Sequence, residues 1–224
     1  MIFLLGIAVG FMCGSIPFGL IIARSKGIDL RAHGSGNIGA TNVGRVFGLK
    51  GFIVCFLLDM SKGFVPTLAF GMLSGLLGSL LMPNAQAIGL MAVAAAPVLG
   101  HMYSPFAGFK GGKGVATAVG SLMAVFPAMT IPAVGGLIVF ILVLALWRMV
   151  SAASCAAAAS IPLWVWFEFS VAQRQGFIAS WVRDGWPFIA TGVALAALVI
   201  WRHRTNLARV MAGTEPRLGR SKTP

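Results

Sequence analysis

Three short segments of this 224-residue chain concentrate polar chemistry that their apolar surroundings lack. The first is His33-Gly34-Ser35-Gly36-Asn37-Ile38-Gly39-Ala40-Thr41-Asn42-Val43-Gly44-Arg45. The second runs from Gly100-His101-Met102-Tyr103-Ser104-Pro105-Phe106 to Gly108-Phe109-Lys110-Gly111-Gly112-Lys113-Gly114. The third is Arg202-His203-Arg204-Thr205-Asn206-Leu207-Ala208-Arg209, with Gly213-Thr214-Glu215 beyond it. All three histidines of the chain fall in these segments. Glycine runs let backbone N–H groups approach an oxyanion. A helix starting after Gly114 would add the positive end of its dipole. Lys110 and Lys113 supply point charges, and Arg45 offers two-pronged binding of phosphate oxygens. The chemistry these residues suit is phosphate binding.

Several phosphate-binding folds are excluded. From Gly108 the chain reads G-F-K-G-G-K-G, which lacks the spacing and the hydroxyl of an ATP-binding Walker loop. No strand–turn–helix dinucleotide fingerprint fits an all-helical chain. No histidine has a ligand partner at i+3 or i+4, so no metal is expected, and nothing calls for a cofactor. Most of the 29 glycines are read as helix-packing residues. Residues 34–44 are read differently, because Asn37, Thr41 and Asn42 are costly in lipid unless they bind something. His203, between two arginines, also fits plain interfacial polarity. Asp59 and Lys62, at i and i+3, are expected to form an intramembrane ion pair with a structural role.

The elements that must position these segments are membrane helices. Hydrophobic residues make up 58% of the chain, charged residues only 10%, and the mean hydropathy is +0.91. A soluble domain carries about 25% charged residues, so a water-soluble globule and a disordered chain are both excluded. Cys13, Cys55 and Cys155 lie in apolar runs and read as small packing residues. A crossing takes about 20 apolar residues. Met1–Ala23 is expected to be a retained first helix, with no cleavage site after it. Gly51–Leu81, Asn84–Gly100, Ser151–Phe169 and Trp186–Trp201 follow the same rule. The run from Val115 to Trp147 is interrupted by Pro127 and Pro132 and divides into helices near 115–126 and 131–147. The expectation is an all-α polytopic membrane protein of about seven spans forming one domain over 1–224.

Charge sets its orientation. The excess of 17 Lys and Arg over 5 Asp and Glu would suggest nucleic acid in a soluble chain; here it reads as the positive-inside effect, with no nucleic-acid partner. With the N-terminus outside, 14 of the 17 cations face inward, Arg174 and Arg183 face out, and Lys62 lies in a span. The three polar segments then all face the cytoplasm. Residues 202–224 form a cytoplasmic basic tail, in which Arg217–Lys222 suits a lipid-headgroup anchor. Residues 169–184 lie outside or along the membrane surface, and Glu215 sits far along a mobile tail.

The segments G-S-G-N-I-G-A-T-N-V-G-R (34–45), H-M-Y-x-x-F-x-G-F-K-G-G-K-G (101–114) and R-H-R-x-N-x-x-R (202–209) resemble the three signature segments of the bacterial acyl-phosphate:glycerol-3-phosphate acyltransferase family. D-M-S-K-G (59–63) fits as well, and the likeness covers nearly the whole chain in order. The resemblance implies transfer of a fatty acyl group from acyl phosphate to the 1-hydroxyl of glycerol 3-phosphate. The products would be lysophosphatidate and phosphate, in phospholipid synthesis at the bacterial inner membrane. In agreement, the His-x4-Asp pair of other glycerolipid acyltransferases is absent: Ile38, Phe106 and Ala208 stand five residues after the histidines.

On this reading Ser35, Asn37, Gly34, Gly36 and nearby amides serve the acyl-phosphate head or the developing oxyanion, beside Thr41 and Asn42. Lys110 and Arg45 hold phosphate, with Gly111, Gly112 and Lys113 in support. His203, Asn206 and Ser151 complete the glycerol phosphate site; Ser151 rests mainly on the resemblance and also suits a helix N-cap. The proton acceptor has two candidates, His101 and a substrate phosphate oxygen. Partners are the two substrates and the lipid bilayer, and the chain is able to act as a monomer. The rival reading is a transporter or exchanger of phosphorylated metabolites. It is disfavoured because transporters place substrate near the midplane between paired repeats.

Overall fold

The computed structural model describes residues 1–218; Arg220 and Lys222 of the expected headgroup anchor lie outside the described residues. Secondary structure among the described residues is helical throughout. The chain forms two compact units, Met1–Thr130 and Ile131–Pro224.

In the first unit, α1 (Ile2–Gly14) and α2 (Phe18–Arg24) replace the single helix expected over Met1–Ala23. The physical reason is Pro17, which has no N–H and disfavours helix at the residue before it. The carbonyls exposed at this break find donors elsewhere: the Ser104 hydroxyl donates to Ser15 O and Lys62 Nζ donates to Ile16 O at 2.8 Å. A 3-10 turn, Leu30–Ala32, precedes α3 (Ala40–Leu73). This third helix starts earlier and ends earlier than the expected Gly51–Leu81. It is also broken at Gly48, where φ is 73° and ψ is −169°, a conformation open to glycine and costly for any residue with a Cβ.

α4 (Asn84–Met102) agrees with the expected Asn84–Gly100. After a 3-10 turn at Pro105–Ala107 comes α5 (Val115–Ala124), which begins directly after Gly114 as expected. α1 packs on α4 and α3 on α5. The α1–α4 crossing is close, since a Cβ at Gly14 would overlap the Pro97 backbone. A buried cluster of Leu20, Ala23, Leu30, Ile38, Val43 and Ala107 pins both polar segments of this unit to the helices.

The second unit holds α6 (Thr130–Trp147, most of it), α7 (Val150–Arg174), α8 (Trp181–Arg202) and α9 (Arg204–Met211). The split of residues 115–147 into two helices follows the sequence expectation, with Pro127 in the turn and Thr130 Oγ1 donating to Met123 O at 2.8 Å. α7 packs along α8 through the fully buried Phe169 and Phe188 rings, 5.3 Å between centroids. Such a ring pair contributes about 0.5–1.5 kcal/mol beyond its buried area. α6 meets α7 where Gly135 and Gly136 face Trp164 and Ile161. The 169–184 stretch is mostly helix, because α7 continues to Arg174 and α8 starts at Trp181, leaving only a short link.

Among the described residues, five segments are long and apolar enough to cross a membrane: Ile2–Arg24, Asn84–Ala107, Thr130–Trp147, Val150–Arg174 and Trp181–Arg202. Their outward faces carry large apolar side chains such as Leu4, Leu5, Ile141, Leu142, Leu146 and Leu163. Groups of this kind stay exposed when lipid, not water, is the surrounding solvent. The chain is therefore a multi-pass membrane protein.

Candidate active site

In the first unit, residues 30–39 lead into α3 and fold around one buried amide on its first turn. Asn42, on the first turn of α3, is 1% exposed. Its Oδ1 accepts the Ser35 N–H at 2.8 Å, and its Nδ2 donates to His33 O at 3.0 Å and Leu30 O at 3.3 Å. Asn42 thus acts as a staple of the loop, with both Nδ2 hydrogens and Oδ1 engaged by the loop backbone. Gly34, φ 60°, passes close over this amide. Gly36 N–H donates to His33 O at 3.0 Å.

What the loop presents outward is side chains. Ser35 and Arg45 are exposed, while Asn37 and Thr41 are half-buried. Asn37 Oδ1 accepts the Gly39 N–H at 2.9 Å at the start of α3, so Nδ2 is the atom placed to donate outward. Thr41 and Arg45 stand four apart on α3 and share a face. His33 is held locally, its Nδ1 2.8 Å from Asp29 O.

The second segment is a closed loop. The N–H groups of Gly111 and Gly112 donate to Met102 O and His101 O, both at 3.2 Å. Those of Ala107, Gly108, Phe109 and Lys110 donate to carbonyls inside the loop. The glycines let the chain close tightly, and their N–H groups are engaged in that closure. A Cβ at Gly112 would strike the His101 ring. Lys110 is exposed and Lys113 half-buried. Lys113 stands one residue before Gly114, the N-cap of α5, whose first-turn N–H groups have no partner within the helix. Cation side chains and a helix end, rather than glycine amides, are what this segment has available for an anion.

Two connections were not legible from spacing. Arg31 Nη2 donates to Ala107 O at 2.6 Å and to Lys110 O at 3.3 Å, tying the first segment to the second. His101 is buried, with Nδ1 3.6 Å from Asp59 Oδ1 on α3. The Asp59–Lys62 ion pair expected from their spacing is present at 2.8 Å. That Asp59 also faces His101 had no signal in the sequence.

The second unit collects the remaining expected residues around a carboxylate. Glu215 Oε1 accepts from the Ser151 hydroxyl and from Asn206 Nδ2, each at 2.7 Å, and Oε2 accepts from Arg209 Nε at 2.8 Å. Glu215 is buried, and the expectation of a mobile tail is corrected. After α9 the chain reverses, with the Thr214 and Glu215 N–H groups donating to Arg209 O. Burial works to raise the Glu215 pKa, but the bonds from Asn206, Ser151 and Arg209 outweigh it and hold the carboxyl below its ordinary value. His203, buried between α8 and α9, has Nδ1 2.8 Å from Val199 O, so that nitrogen is the donor and Nε2 faces away from its own helix turn. Ser151, on the first turn of α7, thus bonds a tail carboxylate and does not cap its own helix.

Among the described residues no three His, Cys, Asp or Glu side chains come together in a way that could hold a metal ion. A family model described as glycerol-3-phosphate acyltransferase matches residues 4–213. Glycerol-3-phosphate acyltransferase of Thermosynechococcus vestitus is 39% identical over 215 residues, covering 96% of this chain and 94% of that protein. The protein of the same name from Trichlorobacter lovleyi is 42% identical over 209 residues, covering 93% and 94%. The fold is similar to a crystal structure of PlsY (YgiH), an integral membrane glycerol 3-phosphate acyltransferase, in its glycerol 3-phosphate form. That match has TM-score 0.77 and 37% identity, and it covers 97% of this chain and 96% of that one. The lysophosphatidic acid form of the same enzyme matches with TM-score 0.75 and 36% identity, over 97% and 95%.

Proposed function

Because the chain belongs to the glycerol-3-phosphate acyltransferase family, we propose that it acylates the 1-hydroxyl of glycerol 3-phosphate from acyl phosphate, giving lysophosphatidate and inorganic phosphate. The observation that carries the choice of donor is the exposed cation side chains Lys110 and Arg45, on two segments that Arg31 ties together, in a chain made for lipid. A phosphate-headed acyl donor needs positive charge at its head and hydrocarbon around its tail. We also place both units in one acyltransferase domain, with seven crossings, the N-terminus outside, and the polar segments on the cytoplasmic side of the bacterial inner membrane.

An acyl phosphate is a mixed anhydride with a good leaving group, so direct attack suffices. The glycerol 3-phosphate oxygen bonds to the acyl carbon, the carbon–oxygen bond to phosphate breaks, and the hydroxyl proton moves to a phosphate oxygen. Asn37 Nδ2 and the Ser35 hydroxyl donate to the oxyanion that develops on the carbonyl. Lys110 and Arg45, with Lys113, hold phosphate and steady the leaving group. His203, Asn206 and Ser151 serve the glycerol phosphate, with Glu215 keeping Asn206 and Ser151 in place.

The burial of the His101 ring against Asp59 and Gly112 favours a substrate phosphate oxygen as proton acceptor. A His101→Ala enzyme that keeps the wild-type pH dependence of kcat supports that assignment. Loss of a limb near a histidine pKa of about 6.5 overturns it in favour of His101.

The reaction itself is tested with purified protein, glycerol 3-phosphate and palmitoyl phosphate, following phosphate and lysophosphatidate together, with palmitoyl-CoA as parallel donor. Stoichiometric products from acyl phosphate alone are expected. Silence with acyl phosphate overturns the donor assignment, and uptake of labelled glycerol 3-phosphate into vesicles without a donor supports transport instead.

A further inference from the structure

The contact between Asp59 and His101 takes no part in the chemistry above, yet it joins two helices at a buried point. Asp59 Oδ1 lies 2.8 Å from Lys62 Nζ and 3.6 Å from His101 Nδ1, and Oδ2 accepts the Cys55 thiol at 3.7 Å. Lys62 also donates to Ile16 O at 2.8 Å and lies 5.7 Å from the centroid of the Phe18 ring, which anchors the pair to the α1–α2 break. Charge neutralisation needs only Asp59 and Lys62, both on α3. His101 comes from the far end of α4, and its other ring nitrogen faces Gly112, where the ring itself leaves no room for a Cβ. Gly112 N–H in turn bonds His101 O. The ring is therefore wedged between a carboxylate on one side and the peptide joining Lys110 to Lys113 on the other.

We propose that Asp59 is a positioning residue for acyl transfer: by holding His101 against Gly112, it sets the path of the Gly111-Gly112 turn and hence the placement of Lys110 and Lys113. At 3.6 Å the contact is longer than a hydrogen bond and sets a carboxylate oxygen facing a ring nitrogen. It still biases the ring, because a carboxylate beside Nδ1 favours the tautomer protonated there and leaves the Nε2 lone pair toward Gly112. The inference rests on reading residues 101–114 as the phosphate segment.

The test separates positioning from charge neutralisation. In Asp59→Leu/Lys62→Met both buried charges are removed together, and such apolar replacement of an ion pair is usually neutral or stabilising. Lys62→Met also strands Ile16 O, so we expect the double variant to melt a few degrees, about 2–4 °C, below wild type. We also expect it to lose about 100-fold in kcat/KM, the loss typical of a small displacement remote from the chemistry. Activity within about threefold of wild type overturns the proposal, because neutralisation was then the whole role. If the double variant does not fold, 15N NMR of histidine-labelled wild-type protein decides, with the His101 signals assigned by their loss in His101→Gln. A neutral ring protonated at Nδ1 supports the proposal, and one protonated at Nε2 overturns it. The tautomer is read without turnover, so it stands or falls separately from the choice of acyl phosphate as substrate.

Discussion

Replacing Glu215 with Gln removes one charge from the hub of the second unit while keeping its shape. Three donors converge on this carboxylate: Ser151 and Asn206 at 2.7 Å and Arg209 at 2.8 Å. A bond to a charged acceptor contributes about 1.5–3 kcal/mol and a neutral one about 0.5–1.5, so the two buried bonds together weaken by about 2 kcal/mol. Arg209 is 42% exposed, and solvent screening limits its share to under about 1 kcal/mol. A glutamine amide also turns its NH2 toward one of the donors, which costs about 1 kcal/mol more. The sum is about 3 kcal/mol, or a fall in melting temperature of about 6–12 °C for a chain of this size. The pH dependence follows from the same carboxylate. Its pKa is held below the ordinary 4.5, so its stabilisation is fully present above that value. It is lost as pH falls through the lower folded value. Thermal unfolding of both proteins in detergent, from neutral pH down to about pH 3, should show the gap widest at neutral pH and narrowing below the ordinary carboxylate value. A melting temperature within about 2 °C of wild type at neutral pH, or a gap that grows on acidification, would refute the reasoning.

Asn42→Ala should lower stability by about 2–3 kcal/mol, since it removes three loop bonds and strands buried carbonyls. Ser35→Ala, which alters only an exposed hydroxyl, should melt like wild type yet lose about 100-fold in kcat; the two are compared by unfolding and by lysophosphatidate formation. Arg31→Lys keeps the charge but loses the paired reach to Ala107 O and Lys110 O; a rise of about tenfold in KM for acyl phosphate at unchanged melting temperature is expected from initial rates. Gly48→Ala forces a Cβ into φ 73° and should cost about 1–2 kcal/mol in thermal unfolding.

Helix existence was legible because it depends on runs of apolar residues and on prolines, both local. α4 came within two residues of its expected C-terminus, and the turn at Pro127 separated α5 from α6 as the missing donors require. The errors fall where a single residue acts against a helix-compatible background. Pro17 divides an otherwise continuous apolar run because Ser104 and Lys62 are in place to satisfy the carbonyls it frees. Those donors lie 89 and 46 residues away in sequence, so no window of the chain could reveal them. Gly48 is one of 29 glycines, and nothing local marks it as the one with positive φ inside α3.

The candidate site follows the same division. Residue types announced phosphate chemistry, since lysine, arginine and glycine concentrate in few other settings within a lipid-bound chain. Which atoms remain for a substrate depends on where backbone donors go, and that is a property of loop closure. Gly111 and Gly112 read in sequence as anion-binding amides, whereas in the structure their N–H groups close the loop on Met102 and His101. Asn42 read in sequence as a ligand, and in the structure it staples the loop. The carboxylates reverse the pattern: Asp59 and Glu215 stand outside the three polar runs, yet one braces His101 and the other gathers Ser151, Asn206 and Arg209. Both carboxylates gather several groups: Asp59 has Cys55, Lys62 and His101 around it, and Glu215 has Ser151, Asn206 and Arg209. Burial of a charge in a lipid-bound protein is tolerated where such partners converge, which is why these two carboxylates sit at the residues they hold in place.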